Sequence, residues 1–133
     1  MSKNQSALRG KIAELVFDRV MLEAGAFIAR PLFEGLAFDR LLSPDNCGAP
    51  TTWRRVQIKR TYRRKDGSLV VNTVRTSGER YARNDADVLA AVDVETGEIW
   101  LIPWRLVYPY TRKVINERFD RFKAVDKKGE ETQ

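Results

Sequence analysis

Hydrophobic residues recur at helical spacing near the start of the chain and at strand spacing through its middle. Between residues 7 and 24 the apolar positions follow a period of about 3.6, and Gly25 comes directly afterwards, so the pattern predicts a helix that ends there. The predicted helix is apolar on most of its circumference. We therefore expect it to lie deep against a sheet.

Short apolar segments separated by turn residues follow the predicted helix. The predicted strands are 26–33 (a strand or a loop), 37–42, 53–65, 68–76, 88–94 and 98–103. Asp66-Gly67 predicts a tight hairpin, and Gly97 provides the positive φ that a short connection between the last two strands requires. The polar segments 43–52 and 77–86 are expected to be loops.

The last part of the chain predicts a return to helix within residues 105–122, with its start placed after Pro109. We therefore expect an α+β fold, in which a central mixed, mainly antiparallel sheet carries an N-terminal helix and a second, C-terminal helix. With 133 residues the chain suits one domain. That domain is expected to comprise residues 1–122, and the charged residues 123–133 are expected to form a disordered tail.

Composition restricts the chemistry more than the fold. The sequence contains no histidine, and Cys47 is its single cysteine. These two facts exclude Ser–His and Cys–His catalysis, zinc sites with histidine ligands and an internal disulfide. Any hydrolytic chemistry must then rest on carboxylates, lysine and a hard metal ion.

Positive charge is concentrated in one part of the sequence. The net charge is +6, and residues 51–65 contain seven Lys or Arg and no acid. A strand and hairpin with this charge can follow a phosphate backbone or enter the major groove, so we expect double-stranded DNA as the partner. A merely solubilising hairpin is the alternative. The residues expected to contact DNA are Arg54, Arg55, Arg60, Tyr62, Arg63, Arg64 and Lys65.

Nothing in the sequence predicts contact with a membrane. There is no apolar run of about 18 residues that could span a bilayer, and the first residues do not resemble a secretory signal. We therefore expect a soluble, cytoplasmic protein.

The segment Val56-Gln57-Ile58-Lys59 is the first candidate for chemistry. Because strand side chains alternate, Val56 and Ile58 are expected to enter the core while Gln57 and Lys59 share the opposite face. Two residues apart on a strand, these polar groups are about 6–7 Å from each other, which suits two groups at one phosphate. An ordinary half-solvated strand face is the alternative.

Asp39 is the second candidate. Alternation in the predicted strand 37–42 puts Phe38 and Leu42 on one face and Asp39 on the other. If this strand pairs with the next one, Asp39 can lie beside Gln57 and Lys59. The alternative is an aspartate at the end of a strand with no special role.

Glu14 is the third candidate because it lies among apolar neighbours. At helical spacing it shares a stripe with Phe17 and Met21, so its carboxylate is expected to point toward the sheet. A buried carboxylate needs a cation or hydrogen-bond donors. A bound metal ion or Lys59 would provide one. The alternative is a structural salt bridge to Lys11 or to an arginine.

A helix glutamate, a strand aspartate and a strand Gln-x-Lys, in this order, resemble the PD-(D/E)XK nuclease superfamily. The closer resemblance is to the branch that holds archaeal Holliday-junction resolvases and a group I intron homing endonuclease. The segments that carry it are 10–15, 38–39, 56–59, 90–93 and 99–103. Two positions depart from the family pattern: Phe38 stands where proline is usual, and Gln57 stands where an acidic residue is usual.

The resemblance implies a site that depends on Mg²⁺, with Mn²⁺ as a substitute. It implies that Asp39, the side chain of Gln57 and the main-chain carbonyl of Ile58 bind the metal, and that Glu14 binds it directly or through water. It also implies that Lys59 orients the attacking water or offsets charge in the transition state. Catalysis would then rest on Glu14, Asp39, Gln57 and Lys59.

The expected activity is hydrolysis of DNA phosphodiesters by a site-specific, homing-type endonuclease. The resemblance also implies a homodimer or a higher homo-oligomer, since cutting two strands needs two sites. A Holliday-junction resolvase is one alternative. The other is an inactive DNA-binding protein that keeps the nuclease fold, which Gln57 favours because a neutral amide binds a divalent cation more weakly than a carboxylate does.

Overall fold

The computed structural model describes residues 3–33, 36–43, 52–75 and 77–124. The elements within these ranges are α1 (Lys3–Glu23), β1 (Phe27–Ala29), β2 (Arg40–Ser43), β3 (Arg54–Arg60), β4 (Tyr62–Arg63), β5 (Leu69–Asn72), β6 (Val88–Asp93), β7 (Glu98–Pro103) and β8 (Arg112–Ile115), with 3-10 helices at Trp104–Leu106 and Glu117–Phe122. Most of the predicted loop at 43–52, including Cys47, lies outside the described residues.

Five strands form the main sheet, in the order β1-β2-β3-β6-β7. β3 and β6 are parallel, and the other neighbours in this sheet are antiparallel. The α+β fold with an N-terminal helix and a mixed, mainly antiparallel sheet is therefore confirmed. A second sheet, β4-β5-β8, was not predicted. β4, β5 and the following loop form the crossover that a parallel pair of strands requires.

The core has one hydrophobic cluster on each face of the main sheet. Phe17 and Met21 of α1 pack against alternate residues of the central strands, among them Val56 and Ala90. On the opposite face, Trp100 belongs to a cluster that extends to the second sheet and the first 3-10 helix. The main sheet is thus covered on both faces, which explains why all six residues of β6 are buried.

β2 begins three residues later than predicted. The chain does not form a regular strand before Arg40. The alternation of side chains between two faces, expected for residues 37–42, therefore does not hold there. Phe38 packs with the cluster on the side of Trp100, whereas Leu42 belongs to the cluster on the side of α1. The prediction that Phe38 and Leu42 share a face is therefore wrong.

The predicted strand 53–65 is divided into two at Thr61. The backbone N–H and the hydroxyl of Thr61 both donate to the carbonyl oxygen of Val92, at 2.9 and 3.2 Å. Beyond this point the chain leaves the main sheet and enters the second one as β4. The hairpin at Asp66-Gly67 is confirmed, and Gly67 has a φ of 88°.

The second α-helix predicted after Pro109 is wrong. Residues 112–115 form β8, which pairs with β5, and the C-terminal helix is a six-residue 3-10 helix at Glu117–Phe122. β-branched residues at Thr111, Val114 and Ile115 favour a strand. Pairing with β5 satisfies the hydrogen bonds of that strand, and this tertiary contact decides the conformation.

Lys123 and Ala124, the first two residues of the predicted tail, contact β7. Lys123 forms an ion pair with Glu98 at 2.7 Å, and the N–H of Ala124 donates to the carbonyl oxygen of Ile99 at 2.8 Å. Both residues are therefore attached to β7. Residues 125–133 lie outside the described residues.

α1 does not lie deep against the sheet, contrary to the prediction. One stripe of the helix is buried, but Leu8, Leu15 and Leu22 on another stripe are 60%, 66% and 59% exposed. The apolar circumference therefore includes a face that this chain does not cover. No helix in the described part of the chain is long and apolar enough to cross a membrane.

Arg40 connects α1 to the sheet. Its guanidinium, on a side chain only 5% exposed, donates to both carboxylate oxygens of Asp18 at 2.9 and 3.1 Å and to Glu14 at 3.1 Å. It also donates to the carbonyl oxygen of Asp39 at 2.8 Å. Burial alone would lower the pKa of Arg40, but Asp18 and Glu14 raise it above its ordinary value. One buried cation thus bridges the helix and the start of β2.

We expect Arg40→Met to lower the free energy of unfolding by about 2–3 kcal/mol, because it leaves two half-buried carboxylates without their cation. The matched control is Arg19→Met, which breaks the exposed Arg19–Glu23 pair and is expected to cost about 0.5 kcal/mol or less. Urea denaturation followed by circular dichroism measures both. Equal losses in the two variants would contradict the bridging role of Arg40.

Candidate active site

The candidate site lies where the pairing between β2 and β3 ends. The last register pair between the two strands is Arg40 with Val56, and just before it the N–H of Asp39 donates to the carbonyl oxygen of Val56 at 2.7 Å. Beyond Val56, β3 continues with β6 on one edge and without β2 on the other. The backbone N–H and C=O of Ile58 lie on this open edge, so both need partners from elsewhere.

Asp39 and Gln57 provide those partners. One carboxylate oxygen of Asp39, Oδ2, accepts from the Ile58 N–H at 2.8 Å and from the Gln57 side-chain amide at 2.9 Å. The same amide nitrogen of Gln57 donates to the Ile58 carbonyl oxygen at 3.3 Å. A carboxylate oxygen and a carbonyl oxygen therefore converge on one point, which the amide nitrogen of the buried Gln57 occupies.

The electrostatic surroundings of Asp39 favour a nearby cation. Burial raises the pKa of Asp39 above its ordinary value, and the N–H of Ile58 opposes this shift. The negative charge of Glu14 raises the pKa further, against the smaller opposing effects of Arg40 and Lys59. Any additional positive charge at this point would stabilise the ionised carboxylate.

Glu14 makes the contact that was considered as its alternative role, an ion pair with an arginine. Its Oε1 accepts from Arg40 at 3.1 Å. Its side chain is 20% exposed, and its charge acts on Asp39, so it is not removed from the site. The Arg40 guanidinium thus joins the carboxylates of Glu14 and Asp18 to the main-chain carbonyl of Asp39 at the junction of α1 and β2.

Lys59 lies on the same strand as Gln57, in a half-buried position. Burial lowers its pKa below the ordinary value, while Asp39 raises it and Arg75 lowers it. Its ammonium is 5.6 Å from the ring centroid of Tyr81, and the guanidinium of Arg75 is 5.7 Å from the same centroid. Burial, followed by the charge of Asp39, raises the pKa of Tyr81 to about 12, so the phenol stays neutral at ordinary pH.

Arg75 and Tyr81 were not identified from the sequence. Arg75 lies near the end of the predicted strand 68–76, and Tyr81 lies in the polar segment 77–86 that was predicted to be a loop. Neither has a fixed spacing from the Gln-x-Lys segment, so no local pattern connects them with Lys59. The aromatic residue within a polar loop was the one available signal.

Lys59, Arg75 and the two carboxylates of Glu14 and Asp39 line a cleft of about 710 Å³. Its walls are Ser6, Arg9, Gly10, Ala13 and Glu14 of α1, then Asp39, residues 57–62, Asn72, Val74 and Arg75. A smaller hollow of about 250 Å³ shares Glu14 and Asp39 with the cleft and adds Lys11 and Arg30. The two carboxylates therefore lie between two hollows with basic walls, an arrangement that suits a negatively charged ligand.

All five residues predicted for catalysis or metal binding line the cleft, namely Glu14, Asp39, Gln57, Ile58 and Lys59. Of the residues predicted to contact DNA, Arg60 and Tyr62 line it as well. Arg60 also forms an ion pair with Glu95 at 3.4 Å. The cleft thus unites residues from α1, β3, β4 and β5 with Asp39, which comes directly before β2.

The remaining residues predicted to contact DNA lie outside the cleft. Arg55 is engaged with Asp87 at 3.1 Å and donates to the carbonyl oxygen of Asn84 at 2.6 Å, which makes it a structural residue in this state. Arg63 lies 3.6 Å from Asp93 and donates to the Gly67 carbonyl oxygen at 3.0 Å. Arg54, Arg64 and Lys65 are exposed and form no ion pair within the described residues.

The oxygen donors at the site fit Mg²⁺, although they are a mixed set. No group of three Asp, Glu, His or Cys side chains that could hold a metal ion occurs among the described residues. The donors are instead the Asp39 carboxylate, the Ile58 carbonyl and the Gln57 amide, with Glu14 beside them. Mg²⁺ prefers hard oxygen ligands and keeps several waters, so few protein ligands suffice. Gln57 has to turn its amide to present the oxygen.

Comparisons with known proteins agree with this architecture. No model of a known family and no curated protein matches the chain. Among solved structures, that of a bacterial homing endonuclease, I-Ssp6803I, is similar over 88% of this chain and 85% of its own, with a TM-score of 0.69 and 23% sequence identity. The likeness shows that this chain shares the fold of that structure.

Proposed function

We propose that the protein is a Mg²⁺-dependent endonuclease that hydrolyses DNA phosphodiesters, and that it belongs to the PD-(D/E)XK superfamily. The observation that carries this proposal is the convergence of the Asp39 carboxylate and the Ile58 carbonyl at the open edge of β3, with Lys59 beside them in a cleft with basic walls. The fold shared with a bacterial homing endonuclease supports it. Site-specific cutting is the form of activity that this neighbour favours.

Each residue has a distinct part in the proposed reaction. Asp39, the Ile58 carbonyl and the turned Gln57 amide would hold Mg²⁺, and Glu14 would contribute directly or through water. When bound, the ion would act as a Lewis acid on the phosphate and would lower the pKa of a bound water molecule. Lys59 places an ammonium in a half-buried position, where a fixed charge stabilises the negative charge that develops on the phosphate more strongly than it would in water.

One feature favours a second candidate, an inactive DNA-binding protein with the same fold. Gln57 provides a neutral ligand where an acid would bind the cation more strongly, and its amide nitrogen now donates to Asp39. In this alternative the cleft binds DNA without cutting it. A Holliday-junction resolvase is distinguished from both by the substrate, since it would cut four-way junctions in preference to linear duplexes.

A pair of variants tests the nuclease. Asp39→Asn should abolish cleavage in Mg²⁺ while DNA binding in Ca²⁺ stays equal or becomes tighter, since the variant removes a metal ligand and a negative charge. Lys59→Met should weaken binding modestly and lower the cleavage rate by about 10²–10⁴-fold. Cleavage is measured on linear, supercoiled and four-way-junction DNA. If the parent protein binds DNA but cuts none of these with Mg²⁺ or Mn²⁺, the inactive-protein alternative replaces the nuclease.

The thermal stability of Asp39→Asn tests whether the variant still folds. The folded-state pKa of Asp39 is raised, so protonation stabilises the fold, and this contribution is complete below the unfolded value and lost as pH rises through the folded one. In EDTA we therefore expect Asn to increase the melting temperature near neutral pH, and the gain to shrink toward pH 4. If Asp39→Asn instead melts at a lower temperature at neutral pH, its loss of cleavage would be explained by destabilisation of the fold.

The tip of the hairpin is expected to contact phosphates. Arg64 and Lys65 are exposed there and free of ion pairs within the described residues. Arg64→Ala and Lys65→Ala should each flatten the slope of log K against log[salt] by about one unit. Arg83→Ala, which removes another exposed arginine that does not line the cleft, is the matched control and should leave the slope unchanged. Parent-like slopes in both hairpin variants would remove the hairpin from the DNA interface.

We also propose that two copies of the chain act together through α1, because a duplex cut in both strands needs two sites. Leu8, Leu15 and Leu22 are seven residues apart, so they form one exposed apolar stripe that a second copy can cover. Leu15→Asp should reduce the molar mass measured by sedimentation equilibrium, and the loop variant Leu32→Asp should not. Equal masses for the parent and Leu15→Asp would exclude this interface.

A further inference from the structure

A second basic hollow lies on the C-terminal part of the chain. It has a volume of about 370 Å³ and is formed by β8 and the two 3-10 helices. Arg105, Lys113, Arg118 and Arg121 line it together with the rings of Tyr110 and Phe119, and we call it the C-terminal basic pocket. It shares no lining residue with the cleft that contains Asp39. The proposed reaction does not use it.

Tertiary structure brings the four cations of this pocket together. Arg118 and Arg121 are three residues apart in a 3-10 helix, where side chains at this spacing point the same way. Asn116 fixes the start of that helix, since its side chain accepts from the Arg118 N–H at 3.0 Å. Lys113 comes from β8 and Arg105 from the first 3-10 helix. Three separate segments therefore direct positive charge into one hollow.

The charges of the pocket are not neutralised by the described part of the chain. None of its four cations forms an ion pair there, and no Asp or Glu lines the pocket. The acids Glu117 and Asp120 belong to the same 3-10 helix but are not among the lining residues. Four like charges in one hollow repel each other, so an anion bound there is favoured by all of them.

Two of the four cations lie close to aromatic rings. The Lys113 ammonium is 3.6 Å from the ring centroid of Tyr110, and the Arg121 guanidinium is 4.7 Å from that of Phe122. Cation–π contacts orient the side chains without neutralising them, because the ring offers no net charge. The cations therefore remain available to a ligand. Arginine in particular suits phosphate oxygens, which it binds with two parallel hydrogen bonds.

We propose that the C-terminal basic pocket is a second DNA-binding surface, which binds the phosphate backbone of the duplex that flanks the cleft. This inference rests on the proposed function, because DNA as the partner comes from there. The pocket is open and three of its cations are exposed, which suits a backbone passing across it. Since the pocket and the cleft have separate walls, a duplex has to extend beyond the cleft to reach both.

The test compares a short and a long duplex. The pocket variant is Arg118→Gln with Arg121→Gln, and the matched control is Arg83→Gln with Arg112→Gln, two exposed arginines that line neither the pocket nor the cleft. Binding is measured by fluorescence anisotropy in Ca²⁺ over a range of salt. On a duplex of about 40 base pairs the pocket variant should flatten the slope of log K against log[salt] by about two units. On a duplex of about 10 base pairs, roughly one helical turn, it should have a much smaller effect.

Each outcome decides something. The proposed second DNA-binding surface is refuted if the pocket variant keeps the parent slope on the long duplex, or if the control variant flattens the slope equally. Unchanged cleavage of the short duplex would then leave the proposed function intact. If the slope flattens as expected but the parent protein never cuts DNA, the pocket is a DNA-binding surface and the proposed nuclease activity is refuted. A parent protein that binds neither duplex overturns both. Unchanged melting temperatures confirm that the variants fold.

Discussion

The hydrogen bond from the Ile58 N–H to the Asp39 carboxylate is the contact on which the candidate site depends. β2 ends its pairing with β3 at Val56, and an unpaired buried N–H would destabilise the sheet at that point. Asp39 satisfies it with a side chain instead of a backbone carbonyl. A carboxylate is thereby placed on the sheet edge at the cost of desolvation, and the Ile58 carbonyl lies beside it, with the Gln57 amide donating to both. A longer β2 would have covered both.

Charge balance explains why this desolvated carboxylate is tolerated. Arg40 binds Glu14, Asp18 and the backbone of Asp39 at once, so it fixes the helix and offsets part of the negative charge. The remaining imbalance is visible in the raised pKa of Asp39 and the lowered pKa of Lys59, two shifts in which burial, the largest cause, disfavours the charged form of the side chain. A site that gives up stability in this way is typical of function. The proposed cation and phosphate would restore the balance.

The basic residues fall into two groups that the sequence does not separate. Arg40 and Arg55 have carboxylate partners and serve the fold, although Arg55 belongs to the segment richest in positive charge. Arg64 at the hairpin and Arg118 in the C-terminal basic pocket have no such partner within the described residues. Unpaired cations are the ones that a polyanion can recruit without breaking an existing bond. The two surfaces proposed to bind DNA are defined by this difference rather than by local charge density.

The sequence by itself determined the features that depend on local patterns, namely several secondary-structure elements and the main candidate site residues. Helical spacing identified α1, two apolar runs around the turn at Gly97 identified β6 and β7, and the order of Glu14, Asp39 and Gln-x-Lys identified residues that line the cleft. Tertiary structure decided what depends on distant partners. Pairing with β5 made residues 112–115 a strand, Val92 divided the long strand at Thr61, and packing brought Arg75 and Tyr81 to Lys59. Periodicity records which face of an element is buried, whereas the identity of the partner across that face is a property of the folded chain alone.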